Sequence, residues 1–139
     1  MRTAIEVAFV RTKRGKADAF TTQATKQPEP LRPTRVARML ALAHAMQGLL
    51  DRGEATGYGD LAALAGITPA RVSQLLDLTR LAPDIQEFIL FAETRSGNET
   101  VTERSLRALV RIASWDDQRR AIGAIRARAH SPRLGSQVA

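Results

Sequence analysis

This sequence predicts an all-α fold: a compact multi-helix domain built around a helix-turn-helix, preceded by a flexible basic N-terminal arm. Three observations lead there. Ala, Leu and Arg dominate while aromatics make up only 4% of the chain, a balance that favours helices over packed sheets. Alternating apolar and polar runs of the kind strands need are rare after residue 30. Finally, residues 58–77, Tyr-Gly-Asp-Leu-Ala-Ala-Leu-Ala-Gly-Ile-Thr-Pro-Ala-Arg-Val-Ser-Gln-Leu-Leu-Asp, carry the spacing of two helices joined by a tight glycine turn.

Residues 1–34 read as arm and linker. Ile5, Val7 and Phe9 alternate with Ala4, Glu6 and Ala8, which suits a short strand over Ala4 to Val10; Arg11, Lys13, Arg14 and Lys16 follow as a basic cluster. Thr21 to Thr25 is polar, and Pro28, Pro30 and Pro33 impose an extended linker. Such an arm is expected to be mobile in the absence of a partner.

The helical domain is expected over residues 35–130. Thr34 is placed as N-cap of a helix through about Leu50, whose inward stripe is Val36, Met39, Leu40, Ala43, Met46 and Leu50; Asp51-Arg52-Gly53 ends it. His44 lies at the border of that stripe with no second histidine near it in sequence, and reads as structural.

In the helix-turn-helix, Gly66 follows Leu61, Ala62, Leu64 and Ala65 and can take the positive φ that ends a helix. Thr68 offers a hydroxyl as N-cap, and Pro69 occupies the first helical position, where its missing N–H costs nothing. Val72, Leu75 and Leu76 then share one face, while Ala70, Ser73, Gln74 and Asp77 point away and Arg71 lies on the flank. Ala62 is small enough to let the two helices cross closely, with Ile67 filling the turn.

Ala82-Pro83-Asp84 starts a further helix with Ile85, Phe88, Ile89 and Ala92 on one face, and Thr94 to Asn98 reads as a loop. Thr102 caps the next helix. Leu106, Leu109, Val110 and Ala113 line its inner side, and Arg104, Arg107 and Arg111 form a row opposite, each able to fork onto a phosphate. A solvated arginine face would have the same pattern. Ser114 and Asp117 stand in a capping arrangement for a last helix with Trp115, Ile122, Ile125 and Ala129 inward; residues 131–139 are expected to form a disordered tail.

The net charge of +7 favours an anionic partner, nucleic acid being the commonest for a small basic protein. Its distribution is uneven. Residues 1–35 hold eight Lys or Arg against three Asp or Glu, residues 36–96 five against seven, and residues 97–139 eight against four. A DNA-bound form would therefore take its phosphate neutralisation from the two ends of the chain and its base contacts from the middle. Cysteine is absent, which excludes thiolate zinc sites, disulfides and cysteine nucleophiles. No metal-ligand cluster, P-loop or glycine-rich phosphate motif is evident, so neither an enzyme nor a cofactor is expected. No apolar run is long enough for a membrane span or a secretory core, and the expected location is the cytoplasm, on the nucleoid.

The stretch from Tyr58 to about Ile125 resembles the central DNA-binding domain of the ParB/KorB family of partition proteins and repressors. The resemblance runs through Asp60-Leu61-Ala62, Gly66-Ile67-Thr68 and Arg71-Val72-Ser73-Gln74-Leu75-Leu76. It continues in Leu81-Ala82-Pro83-Asp84-Ile85-Gln86, in Val101 to Leu109 with Leu106-Arg107-Ala108-Leu109, and in Asp116-Asp117-Gln118. It implies an all-helical domain reading a short operator, with Thr68, Ala70, Arg71, Ser73 and Gln74 as base contacts. Arg80, Arg104, Arg107 and Arg111 are the expected phosphate contacts. Thr12-Lys13-Arg14-Gly15-Lys16 is not the arginine-rich motif of the family's CTP-binding domain, so neither a nucleotide cofactor nor a counterpart of the family's C-terminal dimerisation domain is expected.

The expected partner is double-stranded DNA, and the expected role a small repressor or accessory factor of a bacterial chromosome or mobile element. Gln74 is the candidate for bidentate pairing with adenine, Arg71 for guanine or a phosphate, and Ala70 for a thymine methyl. A monomer and a homodimer both fit. The rival reading is an adaptor module that presents the same polar face to a recombinase or polymerase subunit.

Overall fold

A computed structural model describes residues 8–14, 17–23, 28–95 and 97–130, the first two stretches by their backbone. The chain divides into two units, Met1–Pro30 and Leu31–Ala139.

The first unit contains an antiparallel pair, β1 (Ala8–Arg14) and β2 (Ala17–Gln23), in register from Ala8 opposite Gln23 to Arg14 opposite Ala17. The sequence expectation of one strand over Ala4 to Val10 is corrected: pairing extends through the basic cluster to Arg14, and a second strand follows. Polarity alone hides that partner strand, since Thr21 to Thr25 has no apolar alternation. Phe20-Thr21-Thr22 nevertheless has the aromatic and β-branched composition that strands favour. Ile5, Val7 and Lys16 lie outside the described residues.

The second unit is an all-α domain. Its helices are α1 (Arg35–Asp51), α2 (Tyr58–Ala65), α3 (Pro69–Leu76), α4 (Pro83–Leu90), α5 (Glu103–Val110) and α6 (Trp115–His130), with a 3₁₀ turn at Asp77–Arg80 after α3. A short bridge pairs β3 (Arg32–Pro33) with β4 (Glu93–Thr94). Pro33 therefore belongs to a strand rather than to a linker, and Thr94 to a strand rather than to a loop. A proline has no N–H to give, and the neighbouring Thr34 N–H continues the bridge by donating to the Ala92 carbonyl at 3.1 Å.

Capping sets the helix starts. The hydroxyls of Thr34, Thr68 and Thr102 accept main-chain N–H groups of Ala37, Arg71 and Ser105, and the Ser105 hydroxyl in turn accepts the Thr102 N–H to complete a capping box. Gly66 closes α2 at φ 65°, the left-handed conformation that side chains resist. From α1, Val36, Leu40, Ala43 and Met46 are buried in one core with Leu61 and Ala62 of α2, Val72, Leu75 and Leu76 of α3 and Ile85 and Ile89 of α4, with Met39, Leu50, Ile67 and Phe88 packed at the margin. α1 lies against both α3 and α4, and α5 packs on the 3₁₀ turn and on α6. Helix α3 is thus held from behind by α1 and flanked by α5.

The far end of the domain departs from expectation. Leu106 and Leu109 are buried, but Ala113, Trp115 and Ala129 are exposed. The inward stripe of α6 runs instead through Gln118, Ala121, Ile122 and Ile125, a three- and four-residue spacing headed by a polar residue. Trp115 uses its indole N–H at the surface, donating to the Arg80 carbonyl at 3.3 Å. The tail expected at 131–139 lies outside the described residues.

Candidate nucleic-acid interface

Helix α3 buries Val72, Leu75 and Leu76 and leaves Thr68, Pro69, Ala70 and Gln74 exposed, with Arg71 and Ser73 half-buried. Of the expected base contacts, Thr68 already uses its hydroxyl to accept the Arg71 N–H at 3.2 Å. Ala70 and Ser73 stay on the outer side of the helix, Ala70 exposed.

The remaining two, Arg71 and Gln74, meet α5. Arg71 Nη1 donates to Glu103 Oε1 and, at 3.3 Å, to Gln74 Oε1. Arg107 Nη2 donates to the same two oxygens, at 2.6 Å to Gln74 and 2.8 Å to Glu103. Two guanidiniums are thereby bridged by two acceptor oxygens, one carboxylate and one amide. Gln74, expected as a base contact, and Arg107, expected as a phosphate contact, are hydrogen-bonded to each other across the two helices. Glu103 has no role that its sequence neighbourhood assigns beyond an ion pair. Its four-residue spacing to Arg107 signals that pair, whereas Arg71 lies 32 residues away in the chain and gives no local sign.

Glu103 gathers charge from three sides. Besides Arg71 and Arg107, the Arg35 guanidinium at the start of α1 stands 3.8 Å from Glu103 Oε2, and the Arg35 N–H is taken by Glu99. The hydrogen bond from Arg71 holds the Glu103 carboxyl below the ordinary glutamate range; partial burial opposes this, and the charges of Arg71, Arg107 and Arg35 reinforce it. The pair is more sheltered than a typical surface ion pair, with 28% of the Arg71 side chain and 22% of Glu103 exposed.

The arginine row of α5 forms one surface. Arg104, Arg107 and Arg111 line an open depression with Ala108 and Glu103. A smaller hollow of about 180 Å³ lies where Gln74, Asp77 and Leu78 face Arg107, Val110 and Arg111. Arg80, the last expected phosphate contact, is exposed beyond α3 and pairs with Asp77 at 3.6 Å, a contact that solvent weakens. The acidic balance of residues 36–96 is thus offset locally, because tertiary packing sets the arginines of α5 beside α3.

Among the described residues no cluster of three or more His, Asp or Glu could hold a metal ion, and no helix is long and apolar enough to cross a membrane. His44 bonds Gln86 Oε1 through Nε2 at 2.6 Å, while Gln86 Nε2 donates to the carbonyls of Thr79 and Leu81. That contact fastens α1 to α4 and, through it, to the segment between α3 and α4, a structural use of the histidine.

Comparison with protein-family models, with curated proteins and with solved structures finds no match for this chain.

Proposed function

We propose that this protein is a sequence-specific reader of double-stranded DNA of the ParB/KorB helix-turn-helix type, acting on the nucleoid as a small repressor or mobile-element accessory factor. One observation carries the reading: the exposed polar side of a proline-started recognition helix, α3, lies edge to edge with the arginine row of α5, joined through Arg71, Gln74, Glu103 and Arg107. A helix in the major groove needs such a neighbour, since phosphates flank the base edges that it reads. Arg71, Ser73 and Gln74 supply groove contacts, and Arg104, Arg107, Arg111 and Arg80 supply backbone contacts.

The test is a selection from a random duplex library with the purified protein, repeated at two salt concentrations. A discrete motif whose affinity falls steeply with salt is the expected result. Recovery of nothing above background overturns the reading in favour of the adaptor module.

A further inference from the structure

We infer that the α3–α5 junction reads guanine rather than adenine in the major groove, because the acceptor atom of Gln74 is already committed to the protein. The inference rests on the DNA-reading proposal and specifies the base class that it recognises.

Adenine is recognised by glutamine with both ends of the amide: Nε2 donates to N7 and Oε1 accepts from the N6 amino group. Here Oε1 accepts from Arg71 Nη1 at 3.3 Å and from Arg107 Nη2 at 2.6 Å, which occupies both lone pairs of a carbonyl oxygen. The assignment of oxygen and nitrogen in this amide is dictated by chemistry. A guanidinium has N–H groups and no acceptor, so only the oxygen can face two arginines. Among the described residues, Gln74 Nε2 donates to no partner.

The same accounting extends to the arginines. Each Nη group carries two hydrogens. Those of Arg71 Nη1 and Arg107 Nη2 go to Glu103 Oε1 and Gln74 Oε1. The hydrogen-bonding atoms left on Gln74, Arg71 and Arg107 are then all N–H donors. Guanine is the base that sets two acceptors, N7 and O6, side by side in the major groove, whereas adenine and cytosine each add an amino donor there. Glu103 is a positioning residue in this arrangement: its carboxylate holds both guanidiniums together and keeps the amide oxygen turned inward.

The experiment compares selected motifs for the wild type, Gln74→Ala and Gln74→Glu. Gln74→Ala identifies the contacted position as the one where preference relaxes. Gln74→Glu retains an acceptor for both arginines but has no N–H to offer, so it separates the outward donor from the structural role. The wild-type motif is expected to hold guanine at that position, and 7-deazaguanine there should weaken binding by roughly 5- to 150-fold, the value of one good base contact. Gln74→Glu should lose the preference for guanine over the other bases by a similar factor while its thermal unfolding stays that of the wild type. Adenine at the Gln74-dependent position, no position that depends on Gln74, indifference to 7-deazaguanine, or a guanine preference retained by Gln74→Glu each overturns the inference and leaves DNA reading intact. A wild type that selects no motif overturns DNA reading itself, and the inference with it.

Discussion

Gln118 on α6 accepts the main-chain N–H of Ala82 through Oε1 at 2.9 Å, across 36 residues of sequence. Its Nε2 donates to the Ile112 carbonyl at 2.9 Å, so one buried amide satisfies the N-cap residue of α4 and the turn that leads into α6. In a capping box the N3 side chain accepts the N–H of the N-cap residue; here N3 is Ile85, which has no acceptor, and an unpaired N–H in the core is costly.

Replacing Gln118 by alanine or by leucine is therefore expected to destabilise the domain by about 2 kcal/mol, the penalty for leaving buried main-chain groups unpaired. Urea unfolding measures it. Leucine restores most of the volume but none of the bonds, so a Gln118→Leu variant as stable as the wild type would show that packing, not hydrogen bonding, is what this side chain supplies.

Gly66 and Gly123 should respond to alanine with opposite signs. Gly66 sits at φ 65°, and the space that a Cβ would enter is open, with no atom within 4 Å, so Gly66→Ala suffers backbone strain alone and should cost about 1 kcal/mol. Gly123 lies inside α6, also with nothing within 4 Å, and Gly123→Ala should stabilise by about 0.5–1 kcal/mol through the lower entropy of the unfolded chain. Thermal unfolding of the two variants side by side gives both signs.

Glycine at a turn is one of the features legible in the sequence, and it shares a property with the others. Thr34, Thr68, Pro69, Gly66 and Thr102 act on main-chain groups within about a turn of themselves, so their chemistry can be read from neighbouring letters. Gln118 with Ala82, Arg71 with Glu103, and Arg32 with Thr94 meet only after the chain has folded. The exposed face of α3 is readable from its period. That its amide oxygen is occupied is not, because one of the occupying arginines belongs to another helix.

The Glu103 junction should make stability sensitive to acid. Since the folded protein holds this carboxyl below its ordinary range, the junction contributes fully at neutral pH and above the ordinary carboxylate range, and that contribution is lost as the pH falls through the lower folded value. Asp84, held down first by its bond from Arg119, adds in the same direction. Glu103→Gln removes the titrating group, so its stability deficit relative to wild type, about 1 kcal/mol at pH 7 by analogy with favourable exposed pairs, should shrink as the pH drops below about 4. Denaturant unfolding across that range, at constant ionic strength, is the measurement; a deficit independent of pH would mean that the charge of Glu103 contributes nothing.

The arginine row should divide by mutation into two kinds of contact. Arg104 and Arg111 line the depression on α5 without a bond to α3, so alanine at either should weaken binding to every duplex alike and lower the salt dependence by about 0.9 in slope for each phosphate contact removed. Arg107 also holds the Gln74 amide. Arg107→Ala should reduce the salt slope by a similar amount and, in addition, change which base is preferred at the Gln74-dependent position, because the freed oxygen regains the capacity to accept. Binding isotherms for a panel of single-base operator variants at several salt concentrations separate the two effects: parallel losses across the panel for Arg104→Ala and Arg111→Ala, and a reordering at one position for Arg107→Ala. Equal, sequence-independent losses for all three would mean that the contact between Arg107 and Gln74 has no part in base discrimination.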